Sequence, residues 1–162
     1  MDELQSDVNA RMENGLTPLQ YAAEIGAVDC VRALLEAGAD ADLSYTGLKP
    51  LGRAAVQGHA KCVALLLRDG ASLQPISTGN ALIMAARAGH ADCVRELLVF
   101  GATFEYLYAA LKAAVERHHT ACACIAALDL RNKPWINEKL SAQPASHLPP
   151  TGKPSAGHLP AN

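Results

Sequence analysis

The chain has 162 residues, half of them apolar and 19% charged, with sixteen acids against fourteen bases for a net charge of −2. That apolar content supports one packed core and excludes disorder throughout, and the charge balance excludes a chain that wraps nucleic acid. No apolar run reaches the roughly 18–20 residues that cross a bilayer, and the acidic start Met1-Asp2-Glu3-Leu4 carries no secretory signal. A cytoplasmic, intracellular protein is expected, with the nucleus open to it and with no nucleic-acid or membrane partner.

In chain order, residues 1–14 form an acidic stub. Residues 1–42 carry nine acids and two bases, whereas residues 43–162 carry seven acids and twelve bases. Thr17-Pro18-Leu19 reads as a helix start, a hydroxyl N-cap followed by proline at the first helical position. Ala22-Ala23 lets this helix approach a neighbour closely, and Gly26 supplies a φ > 0 turn into a second helix. Cys30-Val31 and Leu34-Leu35 give that helix an apolar face, and Gly38-Ala39 stops it.

The same landmarks return. Ala54-Ala55, Gly58, Cys62-Val63 and Gly70-Ala71 follow at a step of 32, and Ala85-Ala86, Gly89, Cys93-Val94 and Gly101-Ala102 at a further step of 31, with Leu65-Leu66 and Leu97-Leu98 giving those second helices their apolar faces. A degenerate fourth copy is expected at a step of 28, with Ala113-Ala114 on Ala85-Ala86. That register puts His118 where His59 and His90 sit and Cys122 at the place of Val94, and it shortens the link around Glu105 to Tyr108. Each unit is a helix, a tight turn, a helix and a loop, and it buries its apolar face only by stacking on a neighbour.

This pattern resembles the ankyrin repeat family over about residues 7–128. The best match is Gly15-Leu16-Thr17-Pro18-Leu19-Gln20-Tyr21-Ala22-Ala23 with Gly38-Ala39-Asp40. The resemblance implies an all-α solenoid of stacked helix–turn–helix units with short connecting loops. Its repeats fall at approximately 15–46, 47–78, 79–105 and 106–128, within a domain spanning 15–128. Gln20, Gly52 and Ile83 stand where the family has histidine, and Lys49-Pro50 and Asn80-Ala81 where it has Thr-Pro; these losses are expected to weaken the hydrogen bonds between loops.

Both ends depart from the pattern. Asp7-Val8-Asn9-Ala10-Arg11 looks like the end of a preceding unit, and repeat one lacks the polar outer face of a terminal cap. A fragment of a longer array, such as a ubiquitin-ligase substrate adaptor with its effector domain outside this chain, is one reading. Self-association through an uncapped N-terminal repeat is another. Residues 129–162 hold six of the nine prolines. There, Asn132 to Leu140 could form one amphipathic turn, with Trp135 and Leu140 covering the last repeat. Gln143 to Asn162 reads as a disordered tail, with a weak echo between His147-Leu148-Pro149 and His158-Leu159-Pro160 and no P-x-x-P spacing.

Chemistry finds little support. Cys30, Cys62 and Cys93 occupy one position in successive helices, too far apart for disulfides, and are expected as small buried apolar residues. In His118-His119-Thr120-Ala121-Cys122-Ala123-Cys124 the two cysteines lie on nearly opposite helix faces, so no closed metal site is expected. No phosphate loop, nucleophile elbow or C-x-x-C pair occurs, so neither a cofactor nor catalysis is expected. Phe100, Phe104, Tyr106 and Tyr108 crowd one junction, either plugging it or presenting anchors to a partner.

The resemblance implies binding of a protein or peptide on the concave wall of first helices and loop tips. The positions the repeat leaves over are Tyr21, Glu24 and Ile25, then Arg53, Val56 and Gln57, then Met84, Arg87 and Ala88, with Tyr45, Thr46 and Leu48 on the first loop. Aromatic and aliphatic anchors beside arginine suit such a partner, and Arg53 and Arg87, at or near equivalent positions, suit an acidic segment.

Overall fold

The computed structural model describes residues 8–73, 80–101 and 103–132. The expectations placed on residues 1–7 and on the tail beyond Asn132, including Trp135 and Leu140, lie outside the described residues. Met1–Leu130 form one unit, and Arg131–Asn162 a second of which only the first two residues are described. Among the described residues there are eight complete helices and no strand: α1 (Pro18–Ile25), α2 (Val28–Glu36), α3 (Pro50–Gln57), α4 (Ala60–Arg68), α5 (Ala81–Ala88), α6 (Ala91–Val99), α7 (Phe104–Glu116) and α8 (Thr120–Asn132). None is long and apolar enough to cross a membrane.

The first six helices pair into three hairpins of a solenoid, followed by α7 and α8. The first helices α1, α3, α5 and α7 pack side by side in one layer, and α2, α4 and α6 in a second. The core runs between the layers and between repeats, through Leu19, Leu51 and Leu82, the alanine pairs, and Val31, Val63 and Val94. In α4 the buried leucine pair is Leu66-Leu67, with Leu65 only half-buried.

Local chemistry sets the helix starts. The Thr17 hydroxyl accepts from the Gln20 backbone N–H at 3.1 Å while the Thr17 N–H donates to Gln20 Oε1 at 2.8 Å, a reciprocal box closed by Pro18. Asn80 caps α5 by accepting from the Leu82 N–H at 2.8 Å. Lys49 caps nothing with its side chain, and α3 starts on Pro50 alone.

Three histidines tie each turn to the next repeat. His59 Nε2 donates to the Glu24 carbonyl at 3.0 Å, His90 to that of Val56 at 2.8 Å and His119 to that of Arg87 at 3.1 Å. Their rings lie directly over the turn glycines. A Cβ on Gly58 (φ 83°) would sit 2.6 Å from His90 Nδ1, and one on Gly89 (φ 83°) 2.7 Å from His119 Nδ1. Glycine is required there twice over, by conformation and by space.

Repeat four departs from its expected register. The His119 N–H donates to the Ala114 carbonyl, as His59 does to Ala54 and His90 to Ala85. The step from His90 to His119 is therefore 29. His119, not His118, holds the histidine place, and Cys122 matches Cys93 rather than Val94. His118 takes the glycine place with φ 60°. The supposed short link is helix, since Glu105 to Tyr108 form the first turns of the thirteen-residue α7. Val115 falls where Ala86 lies and is 58% exposed, against 1% for the alanine.

One further expectation is corrected, and the aromatic cluster divides between its two alternatives. Cys62 and Cys93 are buried, but Cys30 is exposed, because the side that packs on a preceding repeat in α4 and α6 has no described repeat beside it in α2. At the aromatic cluster, Leu107 fills the junction with the half-buried Tyr106, whereas Phe100, Phe104 and Tyr108 are exposed; the rings of Phe104 and Tyr108 stack at 6.3 Å.

Candidate partner-binding surface

The first loop is placed by one buried side chain. Gln20 Nε2 donates to the Ser44 hydroxyl at 2.9 Å and to the Leu48 carbonyl at 2.7 Å, so Gln20 replaces the bonds expected to be lost with histidine. Leu48 leans on Gly52, where an added Cβ would come within 3.1 Å of its Cδ1. These contacts hold Tyr45 and Thr46 outward. Tyr45 is exposed under the Arg11 guanidinium, 5.9 Å from its ring centre.

Arg53, expected as a cation offered to a partner, is spent within the stack. Its guanidinium donates to Glu24 Oε2 at 2.6 Å and to the Thr46 hydroxyl at 2.9 Å. Glu24, Thr46 and Arg53 therefore form one tie joining repeats one and two. Arg53 is equivalent to Met84, and Arg87 to Val56, so the two arginines do not share a register.

Tyr21 and Ile25 face the end of the stack beside which no repeat is described. With Met12, Ala27, Cys30 and Leu34 they line an apolar pocket of about 310 Å³. The wall proper keeps Val56, Gln57, Met84, Arg87 and Ala88, of which Gln57, Arg87 and Ala88 are exposed and Val56 and Met84 half-buried.

The wall extends beyond the positions expected from the sequence. A groove of about 410 Å³ runs between α5 and α7, with Ile83, Ala109 and Ala113 lining it beside Arg87, Lys112, Glu116 and Arg117. The expected register for repeat four put Lys112 beside Met84 and Arg117 beside Gly89. The observed register pairs them with Ile83 and Ala88, on the same wall as Arg87.

Burial keeps the interior thiols protonated. It pushes the pKa of Cys62 and Cys122 up, and that of Cys93 up to about 11, where Asp92 adds to the effect of burial. A thiol so held is a poor nucleophile and a poor metal ligand near neutrality. Among the described residues no three His, Cys, Asp or Glu side chains are placed to hold a metal ion.

A family model described as ankyrin repeats in three copies matches residues 2–77, and an ankyrin repeat model matches residues 80–105. The matched range takes in part of the N-terminal stub and stops in the first turn of α7. No curated protein matches the chain.

Proposed function

The chain belongs to the ankyrin repeat family, whose arrays are protein–protein interaction modules, and on that premise we propose that it is a non-enzymatic adaptor, inhibitor or targeting scaffold that binds a protein or peptide on the concave wall of first helices. One observation carries the reading. The stack consumes its alanine and histidine landmarks and the interior leucines and cysteines in packing, and the wall keeps Tyr45, Gln57, Met84 and Arg87 for other uses. Fold alone leaves function open; that division of labour is what favours recognition over a purely structural role. Extended walls of this kind recognise partners through a few aromatic, aliphatic and arginine anchors.

The test is capture from cell lysate with the full chain as bait. A partner held by the wild type is expected to be lost when Tyr45, Gln57, Met84 and Arg87 become alanine together. It is expected to be kept when Arg32, Lys61 and Arg95, on the second helices, become alanine. Retention by the wall variant would overturn the concave-wall assignment.

A further inference from the structure

Charge divides the wall into two halves. Between repeats one and two it is settled internally, because Arg53 and Glu24 close on each other at 2.6 Å. Between repeats three and four three cations, Arg87, Lys112 and Arg117, meet a single carboxylate, Glu116. Glu116 lies 3.9 Å from Lys112, one helical turn back, in an exposed pair that water screens. Among the described residues Arg87 and Arg117 enter no ion pair. The two guanidiniums therefore stand unneutralised at the rim of a groove whose other lining, Ile83, Ala109 and Ala113, is aliphatic and small.

That combination selects its occupant. Guanidiniums match carboxylates in planar, two-pronged geometry. The small aliphatic lining admits a methyl-bearing side chain and presents no ring on which a nucleic-acid base could stack. Glu116 among the cations adds a repulsion that densely charged phosphates feel more than spaced carboxylates do. We infer that this groove docks an acidic, extended segment of a protein partner, its carboxylates against Arg87 and Arg117 and a small aliphatic side chain against Ile83 and Ala113. The inference rests on the concave-wall reading and names the chemistry of the partner it takes. The exposed rim charges act mainly by steering and by salt-sensitive attraction, and the aliphatic contact adds the salt-independent part.

The experiment uses the full chain and fluorescence anisotropy. The probe is a labelled peptide of alternating glutamate and alanine with one central leucine, set against the same peptide with lysine for glutamate. The glutamate peptide is expected to bind, more weakly as salt rises, and the lysine peptide not to bind. Reversing the rim with Arg87→Glu and Arg117→Glu should weaken binding about tenfold or more. The control pair Lys61→Glu and Arg95→Glu carries the same net charge on the second helices and should change it less than about twofold. Should the reversed rim disturb folding, as judged by its thermal melt, Arg87→Gln with Arg117→Gln should still weaken binding about threefold.

Absence of glutamate-peptide binding, equal binding of the lysine peptide, or equal weakening by both reversed pairs overturns the inference. Binding of a single-stranded oligothymidylate as tight as the glutamate peptide also overturns it, leaving a general anion patch. The two proposals fail separately. A lysate partner that survives the rim reversal but is lost with the Tyr45, Gln57, Met84 and Arg87 variant sinks this inference alone, whereas one that survives both sinks the concave-wall reading.

Discussion

Cys30 and Cys62 are the same residue at the same place in consecutive repeats, yet one faces solvent and the other is sealed. Leu34 and Leu66 differ in the same way, half-buried against fully buried. At the other end Val115 is exposed at a position where Ala55 and Ala86 are covered. Interior and end repeats thus share a pattern and differ in environment. In a stack, a residue's burial is conferred by the neighbouring repeat, so stability is a sum of repeats and the interfaces between them.

That contrast is broken most forcefully by deleting core volume. Leu97→Ala should cost about 2–5 kcal/mol in urea unfolding. The equivalent Leu34→Ala, at a half-buried position, should cost less than about 1 kcal/mol. Equal losses would mean that α2 is covered as fully as α4 and α5 cover α6.

A smaller effect separates the turns. Gly89 lies beneath the His119 ring with φ 83°, so Gly89→Ala meets both strain and a clash and should destabilise by more than about 1 kcal/mol. His118 occupies the same place in repeat four with φ 60°, and its side chain is exposed. His118→Gly should therefore stabilise by about 1 kcal/mol, read as a rise in melting temperature. A loss on that substitution would show that the His118 side chain holds a contact.

The smallest effect sharpens the contrast between thiols. Cys93 has a folded pKa of about 11 against 9.0 for an ordinary cysteine. Above pH 9 the unfolded chain gives up this proton while the folded one retains it, so the contribution is present below that pH and lost as pH rises towards 11. The wild type should lose stability across this window more steeply than Cys93→Ala, in matched denaturation curves.

How much of this was legible follows from what each residue is needed for. Alanine pairs, turn glycines and Cys-Val pairs recur because backbone approach and φ > 0 leave few alternatives, and three repeats could be read from them directly. Repeat four obscured itself. His118 fills the glycine place, Ala126 the place of Leu97, and two adjacent histidines offered two registers, of which the helix start at Thr120 selects one. The wall was legible as the set of positions the repeat leaves over. The Arg53–Glu24 pair, joining residues 29 apart, was not, because it depends on how the side chains of α1 and α3 meet. The groove at Lys112 and Arg117 depended on the register that was hidden.

The histidine ties have a direction. Each turn carbonyl waits for a side chain 32 to 35 residues further along the chain, Glu24 for His59, Val56 for His90 and Arg87 for His119. A ribosome delivers the chain from its N-terminus, at about 5–20 residues per second. Each hairpin therefore emerges with its turn open and is fastened a few seconds later by its successor, so that a stall in translation always leaves the newest repeat as the unfinished one.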